Sequence, residues 1–235
     1  MTMAANTRKI IYDFRGALSP PAVASRQGIW CSKATGSCTI ASVSGGPIAL
    51  ALDATSEVQN ACLYMGDILP FDIDNIIRAW FVAKLTASLG ASVMTAFGLA
   101  TARNDALDSV ASHAWFRVEG NNNVLCETDD AVTDTDDKAT GLTLEASYRK
   151  FVIDFSEGQN VRSLPSLAQG GTSDVRFHMS NARGALVPVA RSTRFDMSGF
   201  TSNLQLLAQI QKTSGTAVGT LSILEAGIEF QLPLT

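Results

Sequence analysis

The chain has 235 residues, of which 46% are apolar and 17% are charged, and its formal net charge is −4. The acidic balance excludes the dense basic face that nucleic-acid binding requires, and no apolar run is long enough to cross a bilayer. The charged fraction is well below the roughly 25% of a typical soluble domain. The surplus of apolar residues therefore predicts either an unusually large core or a surface covered by a partner, and we expect the second.

Residues 1–30 differ from the rest of the chain, because an apolar stretch is followed by Leu18-Ser19-Pro20-Pro21, which stops regular structure. They lack the continuous apolar stretch of a secretory signal, so we expect synthesis in the cytoplasm. We predict an extended N-terminal arm at 1–30, which adds a strand to a neighbouring subunit, and a β-sandwich domain at 31–235. The alternative is that the arm is the first strand of the sandwich. The candidate interface residues are Ile10, Ile11, Tyr12, Phe14 and Leu18.

The middle of the chain contains short segments with the composition and alternation of β-strands. Gly120-Asn121-Asn122-Asn123 predicts a hairpin turn, because glycine and asparagine tolerate positive φ. Asn104–Ser112 is the one candidate for a short helix, with Asn104 as its cap. The predicted strands of this half are Ile76–Leu85, Val93–Ala100, Ala114–Glu119 and Val124–Glu127.

The second half repeats this pattern, with turns at intervals of about ten residues. Pro188 predicts an edge strand, and a change of parity in the last strand predicts a β-bulge at Gly227. The fold class is therefore all-β, an antiparallel β-sandwich of the jelly-roll or concanavalin A-like type. The predicted strands are Tyr148–Phe155, Asp174–Met179, Ala185–Ala190, Leu204–Gln211 and Thr220–Leu232.

Residues that could perform catalysis are few. The chain has two histidines, His113 and His178, and it has no GxSxG motif for a nucleophile. Asp154 stands alone at the end of its strand, so no pair of carboxylates for glycoside hydrolysis is evident. We predict no enzyme, no catalytic residue and no cofactor. The four cysteines form no CxxC motif and predict buried free thiols; they are Cys31, Cys38, Cys62 and Cys126.

The strongest charge feature is the acidic run ETDDAVTDTDD at 127–137. Oxygen ligands at this density are compatible with Ca²⁺, although Ala139 stands where an EF-hand loop needs glycine. The alternative is a solvated acidic loop between two strands. The calcium candidates are Asp129, Asp130, Asp134, Asp136 and Asp137.

About half of the chain resembles the concanavalin A-like or jelly-roll sandwich proteins on the heads of tailed phages. The resemblance is one of style, without a diagnostic motif, and the sugar-binding and metal-binding residues of true lectins have no counterparts here residue by residue. The stretches that carry it are FRVEGNNNVLCETDD (116–130), DTDDKATGLTL (134–144), YRKFVIDF (148–155), VRFHM (175–179), ARSTRFDMS (190–198) and LQLLAQIQKTSGTAVGTLSI (204–223).

This resemblance implies a virion structural protein, namely a decoration or cement subunit on the outer surface of a capsid. The implied partners are the major capsid protein and further copies of the chain, in a homo-oligomer such as a trimer, and the implied location is the virion surface. The alternative function is a carbohydrate-binding, lectin-like module of a phage or of a host-recognition structure.

Overall fold

The computed structural model describes residues 7–15, 29–42, 46–156 and 172–231. Within these ranges, sixteen strands form two antiparallel sheets, and two 3-10 turns lie at Ile73–Asn75 and Leu107–Ser109. The strands are β1 (Thr7–Asp13), β2 (Cys31–Thr35), β3 (Thr39–Ser42), β4 (Ile48–Leu52), β5 (Gln59–Tyr64), β6 (Phe71–Asp72), β7 (Ile76–Ala87), β8 (Val93–Ala100), β9 (His113–Val118), β10 (Asn123–Asp129), β11 (Asp134–Thr143), β12 (Arg149–Asp154), β13 (Arg176–Ser180), β14 (Leu186–Val189), β15 (Asn203–Lys212) and β16 (Gly219–Gln231).

The two sheets have the same number of strands. Sheet A has the order β14-β13-β12-β7-β16-β4-β3, and β1 also pairs with β16. Sheet B has the order β11-β10-β9-β8-β15-β5-β2, and β6 also pairs with β15. The predicted antiparallel β-sandwich is therefore confirmed, and Pro188 lies in an edge strand, β14, as its ring requires.

One large apolar core lies between the sheets, because alternate side chains of each strand point inward. Phenylalanine rings from both sheets meet at its centre. The centroids of Phe97 and Phe151 are 4.8 Å apart, and those of Phe116 and Phe177 are 5.1 Å apart, both with the edge-on geometry that aromatic pairs prefer. The predicted inward residues of β12, Phe151 and Ile153, are each only 1% exposed.

The apolar surplus of the sequence is explained largely by this core. In the described part of the chain, six large apolar side chains are exposed, and each lies on a different strand or loop. Scattered residues of this kind are ordinary on soluble proteins. The expectation that a partner covers a broad apolar surface is therefore not confirmed. The exposed residues are Ile11, Val58, Ile68, Val132, Leu186 and Val218.

The predicted N-terminal arm is not confirmed for residues 7–15, which have the structure of the alternative. β1 pairs with β16 over its whole length, so it is a strand of the sandwich. Tyr12 and Phe14 contact the indole of Trp30, with centroid distances of 5.3 and 5.4 Å, and Ile10 also packs against the core. Of the predicted interface residues, Ile11 faces outward and is 51% exposed. Leu18 lies outside the described residues.

Two local predictions were wrong, and one was confirmed. The bulge of β16 lies at Leu224, between Ile223 and Glu225, and not at Gly227. Asn104–Ser112 is a loop with one 3-10 turn, Leu107–Ser109, rather than a helix over its whole length, because several of its backbone groups bond to glutamines of sheet B. All four cysteines are buried, as predicted, and none of them forms a disulfide. No helix in the described ranges is long and apolar enough to span a membrane.

Candidate functional site

The outer face of sheet B is partly covered by the loop of residues 101–112. Leu107 and Val110 of this loop form a second, smaller apolar cluster with Trp115 and other outward residues of the sheet. Glutamines of β15 hold the loop in place: Gln209 Nε2 donates to Asn104 O at 3.0 Å, and Gln211 Oε1 accepts from Leu107 N at 2.9 Å. Each of these two buried amides thus makes at least one hydrogen bond to the loop backbone.

A cleft of about 290 Å³ lies between this loop and strands β9, β10 and β11. We call it the acidic cleft, because five aspartates and one glutamate contribute to its wall, with one arginine. Its lining residues are Asp108, Val110, His113, Trp115, Arg117, Glu127, Asp129, Asp134, Asp136 and Asp137.

Strand β9 supplies the aromatic floor of the cleft. His113, Trp115 and Arg117 alternate with core residues, so all three point to the outer face. The rings of His113 and Trp115 are stacked, with centroids 3.8 Å apart and planes 17° apart. Arg117 is held at the rim by ion pairs with Asp108 at 2.8 Å and Glu119 at 3.0 Å.

The acidic run at 127–137 is a β-hairpin and not the loop that the sequence suggested. Cys126 pairs with Lys138 and Thr128 pairs with Thr135, so one residue of β10, Glu127, lies opposite two residues of β11. This is a β-bulge, which commonly redirects side chains near a functional site. It brings Asp136 and Asp137 together opposite Glu127, and Asp137 has the positive φ of 52° that such a bulge accommodates.

Glu127 is the most deeply buried acid of the acidic cleft, with 1% of its surface exposed. Its Oε2 accepts a hydrogen bond from Trp115 Nε1 at 2.7 Å, and Arg117 Nη1 lies 3.6 Å from Oε1. Burial, and then the nearby Asp137, raise the pKa of Glu127 to about 8, although Trp115 and Arg117 act in the opposite direction. Glu127 therefore keeps its proton to a higher pH than an exposed glutamic acid does.

His113 and Asp134 also have shifted pKa values. Burial lowers the pKa of His113 to about 4, so its imidazole is neutral at pH 7. Burial and the adjacent Asp136 raise the pKa of Asp134 to about 6. Several shifted groups in one cleft are typical of functional sites.

The structure brings four of the five calcium candidates to the acidic cleft; these are Asp129, Asp134, Asp136 and Asp137. The fifth, Asp130, faces away, where Oδ1 accepts from Val132 N at 2.9 Å and Oδ2 accepts from Gly199 N at 2.7 Å. Asp130 therefore closes the hairpin turn and does not line the acidic cleft with the other four.

Sequence reasoning missed His113 and Glu127 as site residues. The alternation of β9 was the one available signal. It predicts that His113, two residues before Trp115, lies on the same face of the sheet as Trp115. The other histidine, His178, lies on β13 of sheet A, away from the acidic cleft.

No protein-family model matches the sequence, and no curated protein matches it. Solved structures do share the fold. A protein of unknown function from Shewanella oneidensis MR-1 has a TM-score of 0.61 and 11% identity, over 100% of this chain and 91% of that one. The β-glucanase of Bacillus licheniformis has a TM-score of 0.58 and 8% identity, over 96% and 99%. Peanut lectin has a TM-score of 0.56 and 11% identity, over 98% and 100%. The fold is thus that of the concanavalin A-like lectins and glucanases.

Proposed function

We propose that the chain is a carbohydrate-binding protein and that the acidic cleft is its binding site. The observation that carries this proposal is the excess of hydrogen-bond acceptors in the cleft: ionised aspartates accept and do not donate. A matching ligand must therefore offer many donors without negative charge. Neutral glycans meet this requirement, because each sugar hydroxyl can donate to a carboxylate.

The charges of the cleft argue against anionic ligands. Arg117 is the one cationic side chain of the lining, and it already pairs with Asp108 and Glu119. A phosphate or an acidic glycan would therefore meet several carboxylates without a free counter-charge. The glycan-binding and glycan-cleaving proteins of the same fold support the proposal only at the level of the scaffold, since a shared fold does not imply a shared function.

Binding is favoured over cleavage by the position of Glu127. A general acid for glycoside hydrolysis must reach the glycosidic oxygen. Glu127 has the raised pKa of such an acid, but its side chain is only 1% exposed and lies between its strand neighbours, Trp115 of β9 and the bulge of β11. We therefore propose a binding module without hydrolase activity.

The test is a panel of neutral and acidic glycans, titrated against the wild-type chain and two matched variants. Asp134→Asn removes a carboxylate of the acidic cleft, and Asp154→Asn removes one from the outer face of sheet A. We expect a neutral glycan to bind the wild type, and Asp134→Asn to weaken binding about tenfold, the value of one charge-assisted hydrogen bond. Asp154→Asn should bind like the wild type.

Equal binding by both variants would place the glycan elsewhere, and a folded wild type that binds no neutral glycan would overturn the proposal. Release of reducing sugar that disappears in Glu127→Gln would show that the protein is an enzyme.

A virion role is our second proposal, as a decoration or cement subunit bound to the major capsid protein at the virion surface. The observation that bears on it is Ile11 of β1: among the predicted interface residues that the structure describes, it is the exposed one, with 51% of its surface open on the outer face of sheet A, so it is available to a partner although it belongs to no apolar patch. Self-association and co-sedimentation with assembled capsids, both reduced by Ile11→Asp, would support it. A monomer that does not bind capsids at micromolar concentration would contradict it.

A further inference from the structure

His113 and Glu127 share a feature that sugar binding does not require. His113 Nε2 and Glu127 Oε1 are buried and have no hydrogen-bond partner in the described part of the chain. The two residues are only 6% and 1% exposed. Buried polar atoms almost always have a partner, so such an exception calls for an explanation, and an absent ion is one of the usual ones.

These atoms lie close enough together to share one ion. His113 Nε2 is 4.0 Å from Glu127 Oε2, and the donor atoms of His113, Glu127 and Asp136 all lie within 4.8 Å of one another. Nitrogen and oxygen ligands lie about 2.0–2.2 Å from a zinc ion, so two of them can be no more than about 4.4 Å apart. Asp136 is the exposed member of the three, so its side chain has the most freedom to turn toward the other two.

The mixture of donors determines the class of metal. One imidazole nitrogen with two carboxylate oxygens suits a first-row transition ion such as Zn²⁺. Calcium instead takes six to eight oxygen ligands and does not favour imidazole. Among the described residues, this is the one group of three or more histidine, cysteine or acidic side chains with such spacing.

We propose that His113, Glu127 and Asp136 bind a divalent transition-metal ion at the base of the acidic cleft. The ion would displace the proton of Glu127 into solvent, because a carboxyl group ligates in its ionised form. Stacking against Trp115 fixes the His113 ring, and the hydrogen bond from Trp115 Nε1 orients Glu127, so the two ligands are held by the same side chain. Three protein ligands leave the remaining coordination positions open toward the cleft. This site goes beyond the carbohydrate proposal and does not depend on it.

The cysteines do not compete strongly for such an ion. All four lie in the described part of the chain, and none belongs to a group of ligating side chains with this spacing. The second histidine, His178, provides a matched control, because it is the only other imidazole of the chain.

The test is calorimetric titration of the untagged, chelator-treated chain with ZnCl₂ and, separately, with CaCl₂, together with melting curves. We expect one zinc ion per chain, an increase in Tm with zinc, and no response to calcium. His113→Gln and Asp136→Asn should weaken zinc binding by about 100-fold, whereas His178→Gln should bind like the wild type. Asp136 is exposed, so its variant is expected to fold even if His113→Gln does not.

Zinc affinity that is unchanged in a folded Asp136→Asn variant would overturn the proposal, as would an equal loss of affinity in His178→Gln. A calcium response that matches or exceeds the zinc response would also overturn it, in favour of an oxygen-only site. These measurements contain no glycan, so their failure leaves the carbohydrate proposal to be judged by its own titration.

Discussion

The outer faces of the two sheets contain the same small motif in opposite electrostatic surroundings. On sheet A, Trp80 lies opposite Gly227 and donates from Nε1 to Glu225 at 2.7 Å. On sheet B, Trp115 lies opposite Gly98 and donates from Nε1 to Glu127, also at 2.7 Å. Both indoles are almost completely buried, with 2% and 1% exposed.

What differs is the set of neighbours around each pair. The nitrogens of Lys9 and Lys150 lie 5.0 and 5.2 Å from the centre of the Trp80 ring, so the pair on sheet A is covered by cations. The pair on sheet B is covered by His113 and faced by aspartates. On sheet A the hydrogen bond thus belongs to a surface cluster of acidic and basic side chains. On sheet B the same bond belongs to an acidic cleft, where the pKa of the glutamic acid is raised. The surroundings, not the motif, make the second a candidate site.

The largest effects are expected at the two glycines opposite the tryptophans. A Cβ at Gly98 would lie 2.5 Å from the backbone oxygen of Ala114, whereas a Cβ at Gly227 would lie 2.1 Å from Cζ2 of the Trp80 ring. We expect Gly227→Ala to destabilise the fold by about 1–3 kcal/mol, and Gly98→Ala by at least as much, because backbone cannot rotate away. Denaturant unfolding measures both.

A double-mutant comparison separates the two cases. Trp80→Leu removes the ring atoms that clash with the new methyl group, so it should recover part of the loss in Gly227→Ala. Trp115→Leu should recover little in Gly98→Ala, because the clash there involves the backbone. Equal recovery of stability in the two double mutants would contradict the proposed difference between a side-chain clash at Gly227 and a backbone clash at Gly98.

The pH dependence of stability should distinguish the two glutamates. The folded-state pKa of Glu127, about 8, is above its ordinary value of 4.5, so stability falls as pH rises between these values. The pKa of His113 has the opposite effect on the pH dependence of stability. Its folded-state value of about 4 is below the ordinary value of 6.5, so stability rises with pH between these two values and no longer changes through His113 above pH 6.5. Between pH 6.5 and 8 the Glu127 effect is therefore unopposed.

We expect the free energy of unfolding to decrease by about 1–2 kcal/mol from pH 6.5 to pH 8, measured with chelator present. Glu127→Gln should make this dependence nearly flat, because an amide does not titrate in this range. The matched change on sheet A, Glu225→Gln, should retain the wild-type slope. A slope that survives in Glu127→Gln would show that another group is responsible.

The sequence predicted the sandwich because alternation is a local property of each strand. The inward set Leu204, Leu206, Ala208 and Ile210 of β15 could be assigned from the sequence, and all four are fully buried. Their outward neighbours Gln205, Gln209 and Gln211 are buried as well. The sequence does not show this, because their partners belong to loops about 100 residues earlier in the chain.

The site was less predictable, for two physical reasons. An acidic run has low β-propensity and resembles a loop, so the hairpin of β10 and β11 and its bulge were missed. The approach of His113 to Glu127 depends on the register of β9 against β10, which places Glu127 opposite Trp115 and Asp129 opposite His113, and a one-residue slip would have destroyed it. The aspartates were found because their density alone marks the segment.

The smallest expected effect concerns the lysines that cover Trp80. A cation over an indole face contributes about 0.5–1 kcal/mol at a partly exposed site. Replacing Lys150 by methionine keeps the apolar stem that packs on the ring and removes the charge. We therefore expect Lys150→Met to lower the free energy of unfolding by up to about 1 kcal/mol. Lys84→Met is a similar cation–π control away from Trp80, because the Lys84 nitrogen lies 4.7 Å from the centre of the Tyr148 ring. Lys150 also faces Glu225, so the loss of stability in Lys150→Met should be smaller in the Glu225→Gln background. An undiminished loss there would show that the ammonium group interacts with the indole and not with Glu225.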